Sequence, residues 1–294
     1  MEQRLAWQRD GGDWPNREAS RFVCAAGLDW HVQIMGRGPV ALLVHGTGAS
    51  THSWRELLPL LAGHYTVVAP DLPGHAFTGT PAAEGLALQG MSDALGGLLS
   101  ALSLSPVLVV GHSAGAAVMA RLCLDGGISP RLLISLNGAL LPLRGIAGHI
   151  FSPLARLLVR LPRVPSLVAW RARDRTAVER VLRDTGSRLQ ARDVDLYARL
   201  FSNPAHVAAT LTMMARWDLD GLARDLPGLA VPLLLVVGGE DRAIPPESAF
   251  EVRRLVPTAQ VEYLRGLGHL AHEERPEEIA ALIVRAAGAA GIAA

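Results

Sequence analysis

The chain has 294 residues, a formal net charge of +1 at pH 7, and 50% hydrophobic residues. The near-neutral charge does not indicate nucleic-acid binding, and no run of about 18 uninterrupted apolar residues predicts a transmembrane helix. Cys24 and Cys123 lie far apart and in no Cys/His cluster, and the first residues lack the apolar core of a signal peptide. We therefore expect a cytoplasmic protein with two reduced thiols.

Strand and helix patterns alternate along most of the chain. A polar leader covers residues 1–20, and two strand patterns around Ala25–Gly27 then predict a hairpin. Ser53 is the expected N-cap of the first helix. The predicted strands are 21–24, 28–35, 40–44, 66–69, 107–110, 132–136, 233–237 and 260–264, and the predicted helices are 53–61, 86–104, 114–124, 247–255 and 277–287. This alternation is typical of an α/β fold with a mostly parallel sheet covered by helices on both faces.

The strand rhythm stops between residues 141 and 229. We expect this segment to be a helical cap, which leaves 1–140 and 230–294 as the core domain. Residues 142–186 carry nine arginines against three acidic residues, a net charge of +6. Apolar residues recur at helical spacing beside two of these arginines, at Leu154, Leu157, Leu158 and Leu161 next to Arg156 and Arg160. Such a surface either covers the active site or contacts an anionic membrane or an acidic tetrapyrrole.

The stretch Gly111-His112-Ser113-Ala114-Gly115 follows the strand pattern of residues 107–110 without a linker, and a small-residue helix pattern follows it. G-x-S-x-G between a strand and a helix is the nucleophile elbow, in which a strained turn presents a serine hydroxyl. Glycines at both ends avoid collisions within the turn. The motif predicts Ser113 as a nucleophile for acyl transfer.

A serine nucleophile needs a base and an acid that orients the base, and such residues gather at the carboxyl ends of parallel strands. Asp241 follows the strand at 233–237, with Glu240 as the competing carboxylate. His269 follows the strand at 260–264, with His272 as the competing histidine. We expect Asp241 as the acid and His269 as the base.

The loop after residues 40–44 and the start of the elbow helix are expected to hold the oxyanion, through the amides of Thr47 and Ala114. His112 would point away from the reacting hydroxyl. Further candidates for the substrate pocket are His45, Gly46, His112, Asn137, Trp170 and Trp217. The sequence predicts no cofactor and no metal site.

Five spaced motifs resemble those of the α/β-hydrolase superfamily, over about residues 21–288. They are HGTGAS, PDLPGH, GHSAG, GGEDRAIP and GLGHLAHEERPEE. The resemblance implies an eight-stranded, mostly parallel sheet with a helical cap inserted after the sixth strand. It also implies a serine hydrolase with its catalytic residues in the chain order Ser, Asp, His.

Nearly the whole chain is also similar to the family of magnesium-chelatase accessory proteins of bacteriochlorophyll synthesis. The similarity lies in residues 13–23 of the leader and the first strand, in residues 27–33, in HGTGASTHSWR, in GHSAGAA and in Leu136–Ala139. It implies a role beside magnesium chelatase and a small, apolar or tetrapyrrole-related substrate. Ala76 departs from the pattern, since glycine is more usual after Pro-Gly-His, and its methyl group is expected to tilt the loop.

Two further functions are compatible with these residues. The same catalytic residues would serve a C–C bond hydrolase or a cofactorless haloperoxidase-like enzyme. A non-catalytic porphyrin- or chelatase-binding module could also retain them.

Overall fold

The structure is a computed structural model and describes residues 4–142, 161 and 163–293. Its strands are β1 Ser20–Ala25, β2 Leu28–Met35, β3 Val40–Val44, β4 Thr66–Pro70, β5 Leu108–His112, β6 Leu132–Leu136, β7 Leu233–Gly238 and β8 Gln260–Leu264. They form one eight-stranded sheet in the order β1-β2-β4-β3-β5-β6-β7-β8. Only the β1–β2 and β2–β4 pairs are antiparallel within this sheet. The predicted fold class is therefore confirmed.

Helices cover this sheet and make up most of the described part of the segment between β6 and β7. The α-helices of the described residues are α1 Trp7–Asp10, α2 Leu57–Ala62, α3 Leu88–Ala101, α4 Ala114–Leu124, α5 Val164–Arg171, α6 Arg175–Asp184, α7 Ala191–Phe201, α8 Pro204–Ala215, α9 Leu219–Asp225, α10 Glu247–Leu255, α11 Ala271–Glu274 and α12 Pro276–Ala289. Helices α5 to α9 follow the sixth strand, where the resemblance placed a cap. None of the described helices combines the length and apolarity needed to cross a bilayer.

Part of the predicted cap surface lies outside the described residues. This applies to the leucines and arginines of the predicted stripe, Leu154, Leu157, Leu158, Arg156 and Arg160, and also to Arg144. Leu161 is described and its side chain is exposed.

Alternate residues of the central strands face opposite helical layers. In β3, Leu42 belongs to the same buried cluster as Leu95 of α3. Its neighbour Leu43 belongs to a second cluster with Leu57 of α2 and Ile283 of α12. The period of two in a strand thus divides a continuous apolar run between two cores, which explains the unbroken hydrophobicity of these strands.

The first predicted helix begins later than expected, and the prediction of Ser53 as its N-cap is wrong. A 3-10 turn spans Thr51–Trp54, and α2 begins only at Leu57. The Ser53 hydroxyl donates to Glu273 Oε1 at 2.6 Å, a residue 220 positions away. The Ser53 hydroxyl therefore binds a buried carboxylate from a distant part of the chain and does not cap a helix.

The sequence predicts a polar leader over residues 1–20. Its described residues lie against both the core and the segment between β6 and β7, which we call the cap segment (residues 141–229). Trp14 is 2% exposed, and its Nε1–H donates to Thr51 Oγ1 at 3.1 Å. Arg199 of α7 donates to both carboxylate oxygens of Asp13, each at 2.7 Å. These contacts attach the first residues of the chain to two separate parts of the fold.

Candidate active site

The elbow turn joins β5 directly to α4. Its central residue, Ser113, has φ +50° and ψ −118° and is partly accessible. A positive φ is rare for a residue with a side chain and is found at strained functional turns. The flanking glycines are sterically required, because a Cβ on Gly111 would lie 2.5 Å from the Ala116 backbone and one on Gly115 would lie 2.1 Å from the Val44 oxygen. The strand–turn–helix geometry expected of the motif is present.

Asp241 and His269 lie in contact at the carboxyl edge of the sheet, after β7 and β8. His269 Nδ1 lies 2.8 Å from Asp241 Oδ2. The other oxygen, Oδ1, accepts from the amides of Ala243 and Ile244, each at 2.8 Å. A carboxylate surrounded by donors acts as an acceptor, so the imidazole donates from Nδ1 and leaves Nε2 as a proton acceptor. This is the proton arrangement that a general base requires.

Asn137 holds the same carboxylate from a third strand. It lies just after β6 with φ +47°, is buried, and donates from Nδ2 to Asp241 Oδ2 at 2.7 Å. The sequence predicts Asn137 for the substrate pocket, whereas in the structure its side chain binds the acid. Asparagine before glycine at a strand end could have indicated a positive φ. It could not have indicated a partner 104 residues away.

His112 connects the elbow to the loop that carries His269. Its Nε2–H donates to the His269 carbonyl oxygen at 2.9 Å, and the two ring centroids lie 4.7 Å apart. Since His112 adjoins Ser113 in the chain, this contact brings the serine turn and the base loop together. Burial lowers the pKa of His112 well below its ordinary value. His112 is therefore a neutral structural contact between the elbow and the base loop.

The competing residues occupy other positions. His272 is buried, its Nε2 lies 2.8 Å from Ser53 Oγ, and its ring centroid lies 4.6 Å from that of Trp54. Burial lowers the pKa of His272 well below its ordinary value. The Glu240 side chain is exposed. The carboxylate that contacts His269 is that of Asp241.

The loop after β3 passes close to the serine. A Cβ on Gly46 would lie 2.9 Å from Ser113 Cβ, so glycine is needed for this approach. The next amide along the loop is that of Thr47, and Ala114 begins α4. Neither amide donates to a backbone carbonyl within the described residues. Both are therefore available for a ligand oxygen beside the positive end of a helix.

A buried histidine supports this loop from below. His45 is fully buried, accepts from the Leu72 amide at Nε2 (2.9 Å) and donates from Nδ1 to the Gly46 carbonyl (2.8 Å). Burial lowers its pKa, and both nitrogens are occupied. His45 was offered as a pocket residue, but it positions the loop and does not line an open space.

Asp71, which no pattern in the sequence singled out as a functional residue, also holds this loop in place. Its Oδ1 accepts from the Thr51 amide at 2.7 Å, and its Oδ2 lies 2.7 Å from His31 Nδ1. Burial alone would raise the pKa of Asp71, but the His31 charge and hydrogen bond bring it down to about 2. His31 Nε2 in turn lies 2.9 Å from Ser20 Oγ. This buried chain connects the loop after β3 to β1 and β2.

Two predicted pocket residues lie elsewhere. Trp170 of α5 is 63% exposed, and Trp217 is buried within a hydrophobic core cluster. A cavity of about 290 Å³ lies at the opposite, amino-terminal ends of the strands, lined in part by Arg131, Pro232 and Gln260. It is separate from the serine turn.

The Asp241–His269 contact, the partly accessible Ser113 and the amides of Thr47 and Ala114 all lie at the carboxyl edge of the sheet. Within the described ranges no group of three or more His, Cys, Asp or Glu side chains could hold a metal ion.

Comparisons with known proteins agree with this geometry. Residues 41–282 match the profile of a family described as "Alpha/beta hydrolase family". The chain is 37% identical over 274 residues to the "Magnesium-chelatase 30 kDa subunit" of Rhodobacter capsulatus, covering 92% of this chain and 95% of that protein. It is 28% identical over 265 residues to the "2-hydroxy-6-oxo-2,4-heptadienoate hydrolase" of Pseudomonas putida, covering 86% and 91%. An alpha/beta hydrolase fold protein from Burkholderia ambifaria superposes with a TM-score of 0.77 at 23% identity, covering 97% of this chain and 100% of that one, which bears on the fold alone.

Proposed function

The chain belongs to the alpha/beta hydrolase family, and we propose that it is a serine hydrolase in which Ser113 is the nucleophile, His269 the base and Asp241 the acid. The observation that carries the proposal is the 2.8 Å contact between Asp241 and His269 Nδ1, on the same sheet edge as the strained serine. This pairing leaves His269 Nε2 free to accept the serine proton. The substrate class is an ester or a related acyl compound.

The reaction follows from these positions. Ser113 Oγ attacks the acyl carbonyl carbon while its proton passes to His269 Nε2, and Asp241 stabilises the imidazolium that forms. The amides of Thr47 and Ala114 donate to the oxyanion of the tetrahedral intermediate. His269 then protonates the leaving group, and the same residue takes a proton from the water that hydrolyses the acyl-enzyme.

Replacement of the serine tests this proposal. Ser113→Ala is expected to lower kcat for a p-nitrophenyl ester by roughly 10⁶ and to abolish covalent labelling by a fluorophosphonate. The matched control is Ser100→Ala, an exposed serine of α3, which should keep both. Full esterase activity in Ser113→Ala would remove Ser113 from the mechanism.

We further infer that this hydrolase serves magnesium-tetrapyrrole synthesis beside a magnesium chelatase. The support is the relative named as a magnesium-chelatase subunit, which matches at 37% identity over nearly the full length of both chains. The substrate would then be a small, apolar or tetrapyrrole-related molecule. Deletion of the gene should cause a pigment precursor before magnesium insertion to accumulate, and the wild-type gene should reverse this.

The same complementation separates catalysis from binding. Failure of Ser113→Ala to reverse the accumulation would make the hydrolase reaction part of the pathway. Rescue by Ser113→Ala, together with micromolar porphyrin binding, would favour a binding module that keeps the catalytic residues. Normal precursor levels after deletion would refute the pathway role.

The relative named as a heptadienoate hydrolase favours one alternative, hydrolysis of a C–C bond by the same residues. Turnover of a vinylogous 1,5-diketone that exceeds ester turnover would select this function. The required variant is again Ser113→Ala, since both reactions use the same hydroxyl.

We also propose that the cap contacts an anionic lipid surface through α5. The large side chains of this helix, Leu167 and Trp170, are 62% and 63% exposed, whereas the small residues Pro165 and Ala169 face inward. The exposed Arg163 lies four residues before Leu167, on the same helical stripe. Exposed apolar and indole side chains beside cationic groups suit the surface of an anionic bilayer.

Vesicle flotation tests this contact. The wild-type protein should float with vesicles of phosphatidylcholine and phosphatidylglycerol at low salt and less at high salt. The double variant Leu167→Gln/Trp170→Gln should not float, whereas Val181→Gln, which alters an equally exposed residue of α6, should behave as wild type. Wild-type protein that stays with the soluble fraction at low salt would refute the proposal.

A further inference from the structure

A short turn of the cap segment, residues 185–187, lies against the loop that carries the acid. We call it the cap turn. The Thr185 carbonyl accepts from the Arg242 amide at 3.0 Å. Gly186 has φ +89°, and a Cβ on it would lie 1.8 Å from the Glu240 carbonyl oxygen. The cap turn therefore touches the residues on both sides of Asp241, at a distance that only glycine allows.

The same turn holds the loop that carries the base. Ser187 is 2% exposed, and its Oγ accepts from the Leu270 amide at 2.8 Å. A Cβ on Gly268 would lie 2.4 Å from the Gly186 carbonyl carbon, so the two backbones are in direct contact. The residues on both sides of His269 are thus in contact with the cap turn.

The Glu274 carboxylate connects the base loop to Arg188, the residue that follows the cap turn. Glu274 Oε1 accepts from the Gly268 amide at 2.9 Å, and its Oε2 accepts from the Arg188 amide at 3.3 Å. The core provides partners for some groups of the base loop. For example, His112 donates to the His269 carbonyl. The Leu270 amide depends on the cap segment for its partner.

From this geometry we infer that the cap turn is a positioning element of the catalytic site, which sets the distance between Asp241 and His269. The inference rests on the proposed hydrolase mechanism. It means that the acid–base pair is complete only when the cap segment is seated on the core. A misplacement of about 1 Å in a catalytic group can cost about 10²-fold in rate, so a turn wedged between the two loops has a large effect on catalysis.

Four substitutions test this role. Gly186→Ala should slow fluorophosphonate labelling of Ser113 about hundredfold, because its methyl group separates the loops. Its control is Gly126→Ala, which has a similar φ of +72° but no neighbour within 4 Å. Ser187→Ala should slow labelling about tenfold, because the Leu270 amide loses its acceptor and the contact of the Ser187 hydroxyl with Thr185 Oγ1 is lost as well. Ser187→Thr should restore most of the rate.

Two readouts distinguish positioning from loss of structure. The effect on ester hydrolysis should fall on kcat with KM within about twofold, and Ser187→Ala should still be fully folded at the assay temperature by circular dichroism. The proton NMR signal of the His269 Nδ1–H bonded to Asp241 should broaden or disappear in Gly186→Ala and persist in Gly126→Ala. This signal needs no substrate, so it can be measured even if the wild-type protein fails to react with the fluorophosphonate, an outcome that would refute only the hydrolase proposal.

Wild-type labelling rates and an unchanged NMR signal in both Gly186→Ala and Ser187→Ala would overturn the inference. If Gly186→Ala does not fold, the comparison of Ser187→Ala with Ser187→Thr decides. Equal rates for Ser187→Ala and wild type would then refute the role of the turn.

Discussion

A buried cluster of charges joins the cap segment to the core beside the catalytic loops. Arg55 donates from Nη1 to Glu273 Oε2 at 2.5 Å and forms an ion pair with Asp193 of α7 through Nε at 2.8 Å. Glu273 Oε1 also accepts from the hydroxyls of Tyr197 and Ser53, each at 2.6 Å. Removal of this carboxylate charge would leave the guanidinium short of one partner and both hydroxyls with a weaker one.

We expect Glu273→Gln to lower the free energy of unfolding by about 3–5 kcal/mol, the usual cost of breaking a buried ion pair from one side. A change of this size should lower the thermal midpoint by on the order of 10 °C. The matched control is Glu56→Gln. Glu56 also pairs with a cap residue, Arg192, at 2.8 Å, but both side chains are largely exposed, so the expected cost is about 0–1 kcal/mol.

Thermal unfolding followed by circular dichroism, with urea unfolding of the same variants, measures the difference. The triple variant Arg55→Met/Asp193→Asn/Glu273→Leu should recover part of the loss, because the guanidinium and both carboxylates that pair with it are then absent. If Glu273→Gln lowers the free energy of unfolding no more than Glu56→Gln does, the buried ion pair matters no more to stability than the exposed one, and the prediction is wrong.

Two further predictions concern the elbow and the pH dependence of stability. Gly115→Ala places a methyl group 2.1 Å from the Val44 oxygen and should prevent stable folding, whereas Gly288→Ala, in α12 with no neighbour within 4 Å, should be neutral or stabilising by up to about 1 kcal/mol, as thermal midpoints would show. Burial lowers the pKa of His206 to about 4 from an ordinary value of 6.5. The unfolded chain therefore binds more protons between these values, and the free energy of unfolding should fall as the pH drops through this window, with a loss of about 3 kcal/mol from this residue below pH 4. The difference between the urea midpoints at pH 7 and pH 5 should be smaller in His206→Gln than in wild type. The control is His64→Gln, an exposed histidine, which should show the wild-type difference. The prediction fails if the difference is unchanged in His206→Gln or is altered in His64→Gln.

Local sterics and periodicity made much of this protein predictable. The Gly-x-Ser-x-Gly pattern at residues 111–115 predicts the serine turn from five adjacent residues, although the contact that requires Gly115 is with the distant Val44 oxygen. Strands buried on both faces need unbroken apolar runs, and such runs predicted the central strands β3 to β7 to within two residues of their ends. Glycine at the position of Ala76 is likewise a local preference, since that residue adopts φ +40° in the structure.

Partners distant in the chain could not be predicted in the same way. Asn137 follows a strand end like other polar residues, and only the packing of β6 beside β7 brings its amide to Asp241. Ser53 has the local pattern of a helix cap, yet a carboxylate 220 residues away takes its hydroxyl. In both cases the chain offers several possible partners for the side chain. Only the folded structure shows which of them lies within hydrogen-bond distance.

The class of fold, the serine turn and the candidate acids and bases are predictable from the chain, because strand–helix alternation, the Gly-x-Ser-x-Gly motif and the ends of strands are all visible in the sequence. Which carboxylate meets which imidazole depends on packing: Asp241 contacts His269, while His272 lies beside Ser53. The tertiary structure alone showed that a turn of the cap segment lies between the acid and base loops. These contacts depend on how elements that are distant in the chain pack together, and no local sequence pattern specifies the distances between them.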